Sequence, residues 1–167
     1  MSAPIRRERP KFPRGYGVPK GDDGMLEWPA IEARLVESKH YWLATSRPDG
    51  RPHLIPRWGV WLDGALYYDG APTTRHARNL ESNPACSLSL EDGQRAVIIE
   101  GTSVATRADA DGLGSRLSEA FTKYHDDGYS PAADAWAGKN GGGLRVFTPK
   151  TSVAWSAFPA DVTRFVF

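Results

Sequence analysis

Alternating apolar and polar residues dominate the chain between residues 41 and 107, in short runs separated by turn sequences. Alternation with a period of two predicts β-strands, and Asp-Gly between two such runs predicts a hairpin. Strands are therefore predicted at residues 41–47, 53–61 and 65–69, joined as an antiparallel meander, and at residues 85–91 and 95–107. Gly101, in the middle of the last of these, predicts a bulge or a sharp bend.

Three other segments show helical spacing. The first helix is predicted to begin at Trp28-Pro29, because proline suits the first position of a helix. A short helix is predicted at residues 75–82, before Asn83-Pro84, and a longer one at about residues 109–125. A flexible loop follows, and two or three closing strands are predicted in the segments LRVFTP, TSVAWS and DVTRFVF.

Together these segments amount to about eight short antiparallel strands and three helices. Evenly spaced strands with Asp-Gly turns favour a small antiparallel barrel over a parallel α/β sheet. The predicted fold class is therefore mainly β with helices (α+β). The length of 167 residues suffices for one domain with one sizeable core.

Residues 1–27 differ from this pattern, because they combine proline and glycine with basic side chains and little periodicity. We predict an irregular basic arm over residues 1–27 and a single domain over residues 28–167. A solvated tail is the favoured interpretation of the arm; lying along the domain or reaching a partner subunit are the alternatives. Its basic residues are Arg6, Arg7, Arg9, Lys11, Arg14 and Lys20.

Charge and composition exclude several classes of function. A formal net charge of +1 argues against a dedicated nucleic-acid binder, which would be clearly basic. Cys86 is the only cysteine, so no internal disulfide is possible. No apolar run approaches the roughly 20 residues of a membrane span, and no secretory signal is present, so a cytoplasmic protein without a membrane partner is expected. The four histidines show no metal-binding spacing, and no metal site is predicted.

The strongest chemical candidate is the start of the short helix at residue 75. Its sequence combines two hydroxyl groups with three side chains that can carry positive charge, at a helix N-terminus that follows a strand. Free N–H groups and arginine side chains at such a position can bind phosphate. The alternative is an ordinary threonine cap with a solvated basic face. The candidate residues are Thr73, Thr74, Arg75, His76 and Arg78.

The predicted strand at residues 53–61 carries bulky residues on both faces. One face can fill the barrel while the other meets a ligand or a second subunit, which predicts a homodimer that buries Trp58 and Trp61. Pro56 lacks an N–H group for strand pairing, and Gly59 would let a flat ring approach the backbone. No residue motif for a protein-borne catalyst is present, so redox chemistry here would need a cofactor.

Three stretches, taken in order, resemble the pyridoxamine-phosphate-oxidase-like split-barrel family of flavin and deazaflavin proteins. They are ATSRPDGRPHLIPRWGVWLDGALYY (44–68), TTRHARNLESNP (73–84) and RAVIIEG (95–101), and the ending VAWSAFPADVTRFVF (153–167) is more loosely similar. The resemblance spans residues 28–167. It implies a split β-barrel with six core strands, a homodimer, and cofactor sites at the subunit interface.

The resemblance also implies site residues. The family's Ser-Arg-Lys phosphate triplet corresponds to Thr74, Arg75 and His76, so the lysine is replaced by histidine. The strand along the cofactor ring corresponds to Ile55, Pro56, Arg57, Trp58, Gly59 and Val60. Polar residues that the vitamin B6 enzymes carry are replaced here by Ile55, Val60 and Ala96.

These replacements argue against a true pyridoxamine phosphate oxidase and indicate the actinobacterial branch that binds the deazaflavin coenzyme (coenzyme F-420 type). The expected function is hydride transfer between deazaflavin, or alternatively FMN, and a small-molecule substrate. A non-catalytic binder of a planar ligand such as haem is the alternative, with His53 or His76 as the residue to examine.

Overall fold

The computed structural model describes residues 4–167, and in that part of the chain nine strands form one antiparallel sheet. Most of the strands predicted from the sequence are present within one or two residues. The strands are β1 (Arg6–Glu8), β2 (Tyr41–Ser46), β3 (Pro52–Arg57), β4 (Val60–Leu62), β5 (Ala65–Tyr68), β6 (Ala85–Ser89), β7 (Val97–Ala105), β8 (Arg145–Ala154) and β9 (Thr163–Val166).

The strands follow each other in the order β1-β9-β8-β7-β6-β2-β3, while β4 pairs with β5 and β5 pairs with β8. The predicted strand at residues 53–61 is thus divided in two. Its first half pairs with β2 and its second half with β5. The division lies at Gly59, whose N–H and C=O are both within hydrogen-bond distance of the Tyr124 hydroxyl rather than of another strand.

No ladder of hydrogen bonds joins β3 to β4 in the described residues, so the barrel is not closed. β3 and β4 are connected only by the two residues between them, Trp58 and Gly59. The predicted α+β fold class with antiparallel strands is confirmed, whereas the predicted barrel is not closed.

The bulge predicted at Gly101 is confirmed. Gly101 lies opposite Pro149 whereas Glu100 lies opposite Thr151, which leaves Lys150 as the extra residue of β8. A Cβ atom at position 101 would lie 2.2 Å from the Thr148 carbonyl oxygen, so only glycine fits. The bulge also explains why the two predicted strands on either side of Pro149 form one strand: proline is tolerated where pairing is already irregular.

Helix α1 (Trp28–Glu37) and helix α2 (Arg75–Ser82) lie where the sequence predicts them. The long helix predicted at residues 109–125 is instead composite, with a π-turn at Ala110–Gly114, helix α3 at Ser115–Ala120 and a 3₁₀ segment at Phe121–Asp127. Gly112 leaves helical geometry, with φ −123° and ψ −110°, and this interrupts the predicted helix. None of the helices in residues 4–167 has the length and apolar character needed to cross a membrane.

Two apolar clusters stabilise the fold. The larger one lies between the curled sheet and α1, and the smaller one packs the 110–127 segment and the following loop against β4. Trp61 does not need a partner subunit for burial, contrary to the sequence-based prediction. It is buried in the larger cluster and donates from Nε1 to the Glu32 carboxylate at 3.0 Å. The predicted flexible loop contains Trp136, a fully buried residue of the smaller cluster.

Part of the N-terminal arm contacts the domain; residues 1–3 lie outside the described part. The prediction of a wholly irregular arm is wrong at Arg6–Glu8, which pairs with β9. Arg9 donates to the carbonyl oxygens of Gly21, Val162 and Asp23. Contacts between residues so far apart do not show in local periodicity. They hold part of the arm on the domain, while most of residues 4–24 are exposed to solvent.

Candidate functional site

Arg57, at the end of β3, lies against the end of β5. Its guanidinium donates to the Asp69 carbonyl oxygen and lies 6.0 Å from the centre of the Tyr68 ring. The Arg57 Nε atom is buried and has no hydrogen-bond partner within the protein. Arg57 therefore places a cation between the predicted ring-binding strand and the loop that leads to α2.

The start of α2 has the geometry of an anion-binding helix N-terminus. Thr74 is the N-cap residue in extended conformation, and its side chain makes no capping hydrogen bond. The Arg78 N–H is bonded to the Thr74 carbonyl at 3.1 Å, which leaves the N–H groups before it without helical acceptors. Arg75 and Arg78 are exposed on the first turn. Three backbone donors and two exposed cations are thus available there.

His76 is buried, with 3% of its surface exposed. Its Nε2 atom lies 3.3 Å from the Thr74 hydroxyl oxygen, and its Nδ1 atom has no partner within the protein. Burial, together with the positive charge of Arg57, lowers the pKa of His76 to about 4. The sequence predicts a third cation at this helix start, but His76 is neutral at pH 7.

A cavity of about 110 Å³ lies beneath α2, between the ends of β5 and β8, and His76 lines it. Arg145 lines the same cavity and is buried; it donates to the Glu81 carboxylate at 2.8 Å and to the Ser103 carbonyl at 3.3 Å. Its Nε atom has no partner within the protein. Tyr68 is also buried here, which raises its pKa to about 12. The inner face of α2 therefore lies beside a buried positive charge. Two buried nitrogen atoms there, His76 Nδ1 and Arg145 Nε, have no hydrogen-bond partner within the protein.

An open cleft of about 340 Å³ lies on the other side of Arg57. Pro56, Arg57, Trp58, Asp69 and Tyr129 line this cleft. Trp58 is 37% exposed and stacks on Tyr124 with a centroid distance of 5.0 Å and an angle of 18°. A flat aromatic surface and a guanidinium are therefore presented side by side to solvent.

Asp69 holds the long loop after the 3₁₀ segment in place. Its Oδ2 atom accepts hydrogen bonds from the Tyr129 hydroxyl at 2.5 Å and from Trp136 Nε1 at 2.7 Å. Burial and the neighbouring carboxylate raise the pKa of Tyr129. Sequence reasoning missed these three residues. The dipeptide Asp69-Gly70 at the end of a strand marks a turn, but nothing local connects it to residues 60 positions later.

Three residues of the predicted ring-binding strand are not in the cleft. Ile55 packs on the larger apolar cluster, and Val60 belongs to the smaller one. Gly59 is buried, and a Cβ atom there would lie 2.8 Å from the Tyr67 carbonyl oxygen. Gly59 thus permits close approach of β5 rather than of a ligand ring. The part of the strand that lines the cleft is Pro56, Arg57 and Trp58.

In residues 4–167, no three histidine, cysteine or acidic side chains are grouped as metal ligands. The candidate site is a cleft and an adjoining helix N-terminus, bridged by Arg57. The two predicted site segments, at residues 55–60 and 73–78, approach the same ring: Arg57 lies 6.0 Å and His76 lies 6.3 Å from the centre of Tyr68.

The family comparison covers this whole region. A family model described as pyridoxamine 5'-phosphate oxidase matches residues 28–148, from the start of α1 into β8. The chain belongs to the pyridoxamine 5'-phosphate oxidase family. Every predicted site residue lies inside the family match, whereas β1 and β9 lie outside it. A comparison with curated protein sequences found no match.

Solved structures with this family's fold include proteins that differ in their ligands. An F420 reductase is 22% identical over 71% of this chain and 93% of its own, with a TM-score of 0.52. An FAD-binding protein from Mesorhizobium loti is 17% identical over 98% and 99% of the two chains, with a TM-score of 0.54. The haem storage protein HutZ from Vibrio cholerae is 23% identical over 75% and 89%, with a TM-score of 0.52. At these identities the likeness shows the fold alone.

Proposed function

We propose that this protein is an oxidoreductase that binds a flavin-type cofactor, with deazaflavin preferred over FMN, and transfers hydride to a small-molecule substrate. The observation that carries the proposal is the junction of the Arg57–Trp58 cleft with the uncapped start of α2. One feature suits a planar ring and the other suits an anionic tail. Membership of the family supports the same class of ligand, as do the F420 reductase and the FAD-binding protein among the structural neighbours.

The residues present fit such a cofactor. Thr73, Thr74, Arg75 and Arg78 would hold its phosphate, and the Arg57 side chain lines the adjoining cleft. When bound, the cofactor would supply the hydride chemistry. The chain's own part is to bind and orient it: Trp58 offers a face for the ring, and Asp69 fixes the Tyr129 loop that borders the cleft.

The preference for deazaflavin follows from what the ring-binding strand lacks. Ile55 and Val60 face apolar clusters and Ala96 is buried, so none of them can give a polar contact to the edge of a flavin ring. The deazaflavin coenzyme carries a longer and more acidic tail than FMN. Exposed Arg75 and Arg78 can meet that additional negative charge.

We also propose that the protein acts as a homodimer, with β3 at the interface. β3 is the last strand of the sheet order and has an unpaired outer edge, and Leu54 on it is 59% exposed. Isologous two-fold contacts are the commonest way to cover such an edge. Sedimentation at micromolar concentration tests this proposal, and a single species of 18.3 kDa would contradict it.

Haem binding is the second candidate, because two buried imidazole nitrogens, Nε2 of His53 and Nδ1 of His76, have no partners within the protein. A neutral imidazole is the form that binds iron. Against this candidate, the cavity lined by His76 has a volume of only about 110 Å³, so a haem would require rearrangement of α2.

Titration of the purified protein with deazaflavin, FMN and haem decides between these candidates. Fluorescence titrations at low and physiological salt should show deazaflavin binding more tightly than FMN, and salt should weaken it because Arg75 and Arg78 are exposed. FMN affinity equal to or higher than that of deazaflavin at both salt concentrations would reject the preference. A haem absorption band without binding of either flavin-type cofactor would favour the second candidate.

A further inference from the structure

His76 occupies the inner side of the first turn of α2, directly behind the proposed phosphate position. Four side chains from three strands face it: His53 and Arg57 from β3, Tyr68 from β5 and Arg145 from β8. On its own segment, Thr74 contacts its Nε2 atom at 3.3 Å. Glu81, which lines the same cavity, is paired with Arg145 at 2.8 Å. Asp69, the other acidic residue that lines this cavity, accepts hydrogen bonds from Tyr129 and Trp136. Both carboxylates thus have other partners, and the side chains that face the imidazole are cations and neutral groups.

Thr74 connects this buried imidazole to the surface of the site. The Thr74 hydroxyl either donates to His76 Nε2 or accepts from it, and the same oxygen is at the N-cap position, where an anion would bind. If His76 gains a proton, Nε2 must donate, and the Thr74 hydroxyl proton is then free to point at the anion. The charge of His76 thus reaches the phosphate position through one hydrogen bond.

The two candidate cofactors differ in the charge of their phosphate. FMN ends in a phosphomonoester, whose second pKa near 6 gives it a charge of about −1.5 to −2 at pH 7. The phosphate of the deazaflavin coenzyme is a diester, which has no second ionisation and keeps a single negative charge. A lysine at position 76, as in the family's usual triplet, would give the site a permanent cation for the second charge.

We propose that His76 determines which phosphate the site accepts, so that a phosphodiester monoanion binds without protonation of the protein and a phosphomonoester dianion binds only with uptake of a proton. This inference rests on the proposed function, because it assumes that a phosphate binds at the start of α2. It makes His76 a specificity-determining residue and not a catalytic one.

The cationic surroundings of His76 support this assignment. With Arg57 and Arg145 nearby and little solvent access, the unliganded protein keeps the imidazole neutral at pH 7. A bound dianion adds negative charge at the position where it offsets those cations, which favours protonation of His76. By linkage, the affinity for the dianion then falls with increasing pH by up to about tenfold per unit.

Titrations at pH 6 and pH 8 test the proposal in the wild-type chain, His76→Gln and His76→Lys. The probes are FMN, the deazaflavin coenzyme, and riboflavin, which has the isoalloxazine ring of FMN without a phosphate. In the wild type, FMN should weaken by about tenfold or more from pH 6 to pH 8, while deazaflavin and riboflavin should change by less than about threefold. His76→Lys should tighten FMN at pH 8 by about tenfold and deazaflavin by clearly less, because a monoanion gains about half the attraction that a dianion gains from the same cation.

His76→Gln keeps a hydrogen-bonding side chain that cannot be protonated, and it serves as the control if His76→Lys does not fold. In this variant the decrease in FMN affinity that comes from His76 should disappear. The dianion fraction of FMN itself rises only from about one half at pH 6 to nearly all at pH 8, which changes the binding of the dianion by about twofold in the opposite direction. An undiminished pH dependence in His76→Gln would overturn the proposal, as would a wild-type FMN affinity that is equal at both pH values.

The binding data distinguish failure of the proposed function from failure of the role assigned to His76. If neither FMN nor deazaflavin binds the wild-type chain at either pH, the proposed function fails. If both bind but the ratio of their affinities is independent of pH and of the residue at position 76, the proposed function stands and the role of His76 is rejected.

Discussion

The Tyr124 hydroxyl accepts a hydrogen bond from the Gly59 N–H at 2.9 Å. Its own proton is within reach of the Lys39 carbonyl at 2.7 Å and the Gly59 carbonyl at 2.8 Å. Tyr124 is fully buried, and burial raises its pKa to about 12. One phenol therefore satisfies the backbone at the point where β3 and β4 separate, and it also supports the exposed Trp58 ring by stacking.

Removal of this hydroxyl should destabilise the protein and disturb the cleft. Tyr124→Phe leaves the buried Gly59 N–H without a partner, so we expect a loss of about 1–3 kcal/mol in the free energy of unfolding. Urea denaturation measures it. Tyr16→Phe is the matched control, because Tyr16 is exposed and should lose less than about 0.5 kcal/mol. Equal midpoints for Tyr124→Phe and the wild type would show that these bonds contribute nothing.

The bulge between β7 and β8 should not tolerate a side chain. In Gly101→Ala the new methyl would meet the Thr148 carbonyl oxygen at 2.2 Å and the Phe147 ring at 2.8 Å, so the two strands must move apart. We expect a loss of about 3 kcal/mol. Gly93→Ala is the control, since a Cβ atom there meets nothing within 4 Å. Thermal unfolding of both variants compares them, and similar Tm values would contradict the steric argument.

Arg75 should contribute to cofactor affinity but not to stability. Its side chain is exposed on the first turn of α2, so Arg75→Ala removes a charge-assisted hydrogen bond to phosphate of about 1.5–3 kcal/mol, or roughly 10- to 100-fold in affinity. Arg51→Ala removes another exposed arginine, one that pairs with Asp49 at 2.8 Å, and should leave the affinity unchanged. An unaltered Kd in Arg75→Ala would argue against phosphate binding at this helix.

His76 should make the unliganded protein sensitive to acid. Its pKa is about 4 in the folded protein, against 6.5 for an unperturbed histidine, so between these values the unfolded chain binds more protons than the folded chain. Stability due to this group is therefore fully present above pH 6.5 and is lost as the pH falls towards 4, by about 2–3 kcal/mol. The difference between wild type and His76→Gln, measured by denaturation from pH 4 to pH 7, isolates this effect. Parallel curves would show that His76 is not held neutral.

The sequence predicts those parts of the fold that are set by local pattern. β2 and β6 alternate over their whole length, α1 has its proline at the start, and Gly101 marks the bulge. Contacts between distant residues leave no such local pattern. The bonds of Arg9 to Val162 and of Tyr129 to Asp69 join segments 153 and 60 residues apart, and both involve chain that the sequence predicts to be irregular or flexible.

In the candidate site, too, the sequence predicts only the features that depend on local pattern. The helix start at Arg75 and the exposed Pro56–Trp58 segment follow from local sequence. The burial of His76, by contrast, depends on Arg145 and Tyr68, which arrive from other strands. A helix N-terminus rich in basic residues does not reveal which of them faces inward, and that orientation decides the charge of the site.

β8 pairs with three other strands of the sheet. It pairs with β7 along its length, with β9 beyond the bulge, and with β5 at its beginning, about 80 residues earlier in the chain. Closing so long a loop costs entropy before any of these contacts form, so folding is expected in the slow range of milliseconds to seconds typical of β-proteins. Until β8 has paired, the β4–β5 hairpin and the β6–β7 pair each expose an unpaired strand edge. Because unpaired edges can pair with other chains, we expect aggregation to be fastest at this stage of folding.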